Sequence, residues 1–253
     1  MLYLEIMIAL MGAAIGSFLN VCILRLPAEE SLVLPASHCP KCNNPIRFYD
    51  NIPIISYLWL QGKCRHCREG ISPQYPLVEL LTALMALVLF WKFGLSWKLL
   101  ITFIFVGSLI VIAFIDLEHQ IIPDVITLPG IPICFLMAVF VMGIPWLDAV
   151  LGLLIGGGIL YAIALGYELI RKAEGMGGGD IKLLAMLGVF FGWKSLFFIL
   201  FVSSFLGAIV GLAVMLIKGK DMKYAVPFGP FLSLAAIAYI FWGDNLIRVM
   251  FRR

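Results

Sequence analysis

The sequence predicts an all-α polytopic membrane bundle of about eight transmembrane helices, interrupted by one small water-exposed module. Three observations carry that expectation. Of 253 residues, 62% are hydrophobic and only 13% charged, about half the charged fraction of an average soluble domain. The apolar residues fall in runs long enough to cross the hydrocarbon layer as helix, which takes about 20 residues. One stretch, residues 25–75, departs from this pattern in being rich in Pro, Asn, Cys and charge. The net charge of +3 is small, and no basic stripe with interleaved aromatics occurs, so nucleic acid is not an expected partner.

Taken in order, the runs are Tyr3–Leu24, Pro76–Phe93, Leu95–Ile115, Val125–Gly143, Trp146–Ile170, Ile181–Phe191, Ser195–Ile217 and Ala225–Ile247. The sixth is short. It either spans a thinned or protein-shielded region or forms a half-helix, so the count is eight with seven as the alternative. The first run has no basic stretch before it, carries Glu5 and lacks a small-residue cleavage site, which reads as a retained anchor. The expected organisation is a first transmembrane helix at 1–24, a cytoplasmic module at 25–75 and a transmembrane bundle at 76–253.

Lys and Arg orient the bundle. Arg25, Lys41, Arg47, Lys63, Arg65 and Arg68 lie in the long loop, Arg171, Lys172 and Lys182 flank a glycine run, and Lys218, Lys220 and Lys223 precede the last run. Eight spans put all three clusters on one face, expected to be cytoplasmic. Arg248, Arg252 and Arg253 then fall outside, against the rule. Glycines at four-residue spacing, Gly12/Gly16, Gly152/Gly156 and Gly207/Gly211, are expected to let helix backbones approach closely.

The long loop contains Cys39-Pro-Lys-Cys42 and, after 21 residues, Cys64-Arg-His-Cys67. Two C-x-x-C knuckles can close four thiolates tetrahedrally around one Zn²⁺. A metal would also supply folding energy that so small a core lacks. Disulfides compete with this reading, but a cytoplasmic module is reduced. A redox C-x-x-C competes too, but two copies close together favour metal. His38 and His66 neighbour a ligand set that is already full. Cys22 and Cys134 lie in apolar runs and read as packing residues.

Ionisable residues at membrane depth are costly and usually functional. Asp116 ends the uncharged run from Val106, and Asp180 follows the glycine run 175–179 and opens an apolar segment. Both fall where a span meets the same expected face. Two carboxylates that converge there would share one proton, as an aspartic protease requires. Each residue also has an ordinary reading: Asp180 as a helix cap and Asp116 as a span end. Asp124 rivals Asp116 but follows Pro123 and can cap the next helix. His119 reads as solvated, and Asp148, Asp244 and Glu168 read as span-end charges. Glu79, one turn inside a span, lines the site or pairs with a basic loop residue.

Together these residues resemble the type IV prepilin peptidases, which are also N-methyltransferases. The resemblance runs through Gly16-Ser-Phe-Leu-Asn-Val21 with Arg25-Leu-Pro27, the cysteine knuckles with Gly62-Lys63, and Ile71-Ser-Pro-Gln-Tyr-Pro-Leu-Val-Glu-Leu-Leu81. It continues through Asp116 to Asp124, Gly175-Met-Gly-Gly-Gly-Asp180-Ile-Lys-Leu183 and Pro227-Phe-Gly-Pro-Phe231. It implies a multi-pass protein of the bacterial inner membrane, with eight spans and a cytoplasmic zinc module between the first two. It implies that Asp116 and Asp180 are the catalytic acids. The implied substrate is a type IV prepilin or type II secretion pseudopilin precursor, with a basic leader and an apolar helix. Such a precursor is cut after glycine, and the new N-terminal residue is methylated with S-adenosyl-L-methionine. The resemblance also associates Gly62 and Lys63 with methyl transfer. The residues alone do not locate the methyl donor.

Overall fold

The computed structural model describes residues 1–171, 177–218 and 227–251. Gly175, Met176, Lys172, Lys220, Lys223, Ala225, Arg252 and Arg253 lie outside the described residues, as do the side chains of Glu168, Arg171, Lys218, Asp244 and Arg248. The chain divides into two compact units, residues 1–111 and 112–253.

In the first unit, α1 (Leu2–Arg25) packs along α3 (Gln74–Phe93). The spacing of Gly12 and Gly16 puts both glycines on one helix face. A Cβ on Gly12 would lie 2.8 Å from the Ala86 Cβ, and one on Gly16 would lie 2.7 Å from the Glu79 Cα. The backbones therefore meet with nothing between them, as expected for helices that gain no hydrophobic drive in lipid.

The segment joining α1 to α3 holds only a 3₁₀ turn at Phe48–Asp50 and the short helix α2 (Ile55–Trp59). Buried polar side chains hold its two ends. The Asn20 amide of α1 donates to the Tyr75 carbonyl in the first turn of α3 at 3.0 Å. The Arg25 guanidinium, expected as a loop cation, is instead buried and donates to the carbonyls of Ser31 and Pro35 at 2.8 and 2.7 Å. Among the described residues Glu79 makes no ion pair. It is buried in α3 and accepts the Ile54 N–H at 2.7 Å. Ile54 has φ +62, which a β-branched residue adopts only under constraint. α4 (Trp97–His119) begins in this unit.

In the second unit, α7 (Gly178–Phe191) is central. It packs against α5 (Asp124–Met137, continued by a π turn at Ala138–Met142), α6 (Trp146–Arg171), α8 (Trp193–Lys218) and α9 (Gly229–Phe251). Every residue from Leu183 to Phe190 is buried, the pattern of a helix covered on all sides. At about 1.5 Å per residue, its 14 residues reach about 21 Å, short of a hydrocarbon layer about 30 Å thick. Its burial on all sides shields it with protein.

α6 meets α7 at glycines. A Cβ on Gly152 would overlap the Gly188 carbonyl, and one on Gly156 would stand 2.6 Å from the Leu184 oxygen. Gly207 instead faces the rings of Phe228 and Phe231, and Gly211 has open space. That third pair makes no backbone contact, because bulky rings occupy the facing position.

Among the described residues, six helices are long and apolar enough to cross a membrane: α1, α3, α4, α5 with its π turn, α6 and α8. α9 contributes a shorter apolar stretch, Gly229–Gly243. With α7, these helices carry the eight expected runs. The remaining helix, α2, belongs to the loop segment.

Candidate functional site

α4 continues past its apolar run to His119, so Asp116 lies in its last turn. The residue is buried. Its Oδ2 accepts the backbone N–H of Gly229 at 2.9 Å, across 113 positions of sequence. Gly229 is the first residue of α9, and the first N–H groups of a helix have no partner within it. The carboxylate supplies one. A Cβ on Gly229 would stand 2.7 Å from that same oxygen, so only glycine leaves room for the bond.

Asp180 is the third residue of α7 and is half-buried. Its N–H donates to the Gly177 carbonyl at 3.1 Å. Its Oδ2 would lie 3.8 Å from a Cβ on Gly177, so the carboxyl turns back over the glycine run. Asp116, in the last turn of α4, and Asp180, in the first turn of α7, lie on either side of one residue of the segment that follows α4.

Ile122 stands beside both. Its Cβ would be 2.8 Å from a Cβ on Gly179, and its Cδ1 3.2 Å from one on Gly229. The rival acid Asp124 does not join the pair. It is exposed and takes the Lys182 ammonium at 2.7 and 2.8 Å. His119 is exposed beside Glu118, at 3.9 Å. Asp148 accepts the Trp193 indole N–H at 3.2 Å, a polar tie between helix starts.

The four cysteines expected to bind metal come together. Their Sγ atoms all lie within 4.8 Å of one another, and Cys39 and Cys67 are 3.8 Å apart. A tetrahedron with metal–sulfur bonds of about 2.3 Å has edges of about 3.8 Å. The set therefore fits zinc, and no cysteine is paired in a disulfide.

The two knuckles are built alike. Cys39 N–H donates to the Asn44 carbonyl at 3.0 Å, and Cys64 N–H to that of Glu69 at 2.8 Å. Asn43 and Arg68 return their N–H groups to the carbonyls of Cys39 and Cys64 at 2.8 and 3.0 Å. Both residues adopt left-handed φ, 56 and 62. Backbone N–H groups of Cys67 and then His66 pull the Cys64 thiol down to about 7, toward the thiolate that ligates metal. Asp50 receives the Arg65 guanidinium at 2.9 Å, bracing the second knuckle.

Gly62 and Lys63 immediately precede that knuckle. Gly62 has φ +68, donates to the Tyr57 carbonyl at 2.9 Å and accepts the Ile71 N–H at 2.7 Å. A turn that tight accounts for the glycine by itself. Lys63 is exposed.

Sequence reasoning counted Lys182 only as a topology marker and motif member, quoted Gly229 only within a motif, and gave Ile122 no role of its own. A usable signal existed only for Gly229. A Gly-Pro pair opening an apolar run marks a helix N-terminus with a free donor.

Two family models match the chain, one described as the Bacterial Peptidase A24 N-terminal domain over residues 10–93 and one as the Type IV leader peptidase family over residues 103–212. Curated relatives called "Prepilin leader peptidase/N-methyltransferase" are similar over almost the whole length. One from Aeromonas salmonicida and one from Pseudomonas putida are each 37% identical, covering 96% of this chain and 92% of theirs. One from Neisseria gonorrhoeae is 36% identical with the same coverage. No solved structure matches the chain.

Proposed function

The chain belongs to the type IV leader peptidase family, and on that premise we propose that it cleaves prepilins and pseudopilins after the glycine that ends their leader, then N-methylates the new terminus. Asp116 and Asp180 are the catalytic acids of this reading. The observation that supports it is their convergence: 64 positions apart, they flank Ile122, which lies against Gly179 beside Asp180 and against Gly229, the residue bonded to Asp116.

In this reading the two carboxylates close on substrate and hold one proton between them, and its titration belongs to the pair. The charged partner takes a proton from water, and the resulting hydroxide adds to the scissile carbonyl carbon. The protonated partner donates to the carbonyl oxygen. As the tetrahedral centre collapses, the C–N bond breaks, the amine nitrogen takes the proton that the first carboxyl drew from water, and the second carboxylate takes back the proton from the hydroxyl that becomes the new carbonyl. Gly177, Gly178 and Gly179 present backbone without side chains, so an extended substrate can approach Asp180 closely. The precursor's apolar helix lies against the lipid-facing surface, and its basic leader stays at the cytoplasmic face of the bacterial inner membrane.

Cys39, Cys42, Cys64 and Cys67 would hold Zn²⁺. A closed four-thiolate site supplies folding energy and leaves no open position for chemistry. S-adenosyl-L-methionine supplies an activated methyl group when bound. The exposed Lys63 ammonium beside the Gly62 turn fits the carboxylate end of such a donor. The acceptor must be a neutral amine, and an α-amino group with pKa of about 8 is partly neutral at cytoplasmic pH.

The test is incubation of the lipid-reconstituted protein with a prepilin and S-adenosyl-L-methionine, followed by mass analysis of the new N-terminus. The wild type should give a shortened, methylated product. Asp116→Asn and Asp180→Asn should each abolish cleavage while inserting normally. Normal cleavage by both variants excludes the assignment.

A further inference from the structure

The link between α4 and α5 leaves the helix at Gln120, which has φ +55, and runs through Ile121, Ile122 and Pro123 to Asp124, the first residue of α5. Near its start this link is anchored to Asp116: the Gln120 N–H donates to the Asp116 carbonyl at 2.9 Å. Its far end is anchored to α7 through both oxygens of Asp124 on the Lys182 ammonium, at 2.7 and 2.8 Å. Lys182 is two residues from Asp180 in the first turns of the same helix.

Between the two anchors, Ile122 presses on Gly179, the residue before Asp180, and on Gly229, the residue bonded to Asp116. A side chain on Gly179 would collide with it and one on Gly229 would be crowded by it, so Ile122 fills the space between the start of α7, which carries Asp180, and the start of α9, which holds Asp116. We infer that Ile122 and the Asp124–Lys182 ion pair are positioning residues that set the separation of Asp116 and Asp180. This inference rests on the peptidase reading.

The exposure of both charges argues against a mainly structural purpose. A half-exposed ion pair adds little to overall stability. Its effect is local, fixing the first turn of α7 against the link. Geometry at a reacting centre is sensitive to such fixing, since a misplacement of about 1 Å can cost about a hundredfold in rate. No contact of these side chains with substrate is required.

The experiment uses the full chain in lipid nanodiscs and a synthetic prepilin with a basic, glycine-ending leader. Asp124→Asn, Lys182→Gln and Ile122→Ala should each lower kcat about ten- to a hundredfold, with KM changed less than about twofold. The exchanged pair, Asp124→Lys with Lys182→Asp, should recover most of that loss. A second measurement starts from the wild type. Salt screens exposed pairs, so raising ionic strength should lower kcat of the wild type and leave that of Asp124→Asn unchanged. Unchanged kcat in the single variants, a rise in KM alone, an exchange no better than either single variant, or a wild-type kcat indifferent to salt would each overturn the inference. Failure of the wild type to cleave would instead remove the peptidase reading.

Discussion

The backbone N–H of Gly229 donates to the carboxylate of Asp116 at 2.9 Å, joining the first residue of α9 to the last turn of α4. The donor is an amide with no partner within its own helix, at that helix's positive end, a natural site for a carboxylate. Replacing Gly229 by Ala puts a Cβ 2.7 Å from the acid's oxygen, so the acid must move. The expected result is a fall in prepilin cleavage of about a hundredfold, with the protein still inserted. Full activity of Gly229→Ala would mean that this contact does not orient the acid.

The thiolate cluster makes a prediction about metal. Sγ atoms within 4.8 Å of one another repel when ionised and cohere only around a cation. Zinc should therefore copurify at about one per chain, and Cys64→Ser should lower that content. Chelation should expose the 25–75 segment to protease, because metal binding and folding of such a module are one equilibrium. Elemental analysis with limited proteolysis checks both; a zinc-free protein with a protease-resistant segment would sink the idea.

Glu79 predicts a graded series. Its carboxylate accepts the N–H of Ile54, and glutamine retains an acceptor oxygen. Glu79→Gln should be nearly silent. Glu79→Leu leaves a donor without a partner, a loss of about 1–3 kcal/mol confined to the loop segment. Faster hydrogen exchange at residues 52–60 in Glu79→Leu, and not in Glu79→Gln, is the expected signature.

The glycine contact between α6 and α7 predicts a loss of stability. Gly152 and Gly188 approach so closely that a Cβ on either would overlap the other's carbonyl. Gly152→Val should destabilise the second unit by at least about 1–3 kcal/mol, read as a lower thermal midpoint in detergent. Gly211→Val, facing open space, should change little.

The sequence by itself determined the helices, the cysteine quartet and the two candidate acids. Long apolar runs, paired C-x-x-C spacing and charges stranded at span ends are local patterns, and each carries its physical reason within a few residues of itself. It did not determine what Gly229, Ile122, Lys182 and Glu79 touch. Those partners lie 25 to 113 positions away, and composition does not encode which distant backbone a side chain meets. The residues alone left Asp124 as a rival to Asp116, and only the resemblance chose between them. In the folded chain Asp116 turns inward onto a helix N-terminus and Asp124 outward onto a lysine. The short run of α7 was undecided for the same reason: whether 14 residues suffice depends on what surrounds them, and only the folded chain supplies the surroundings.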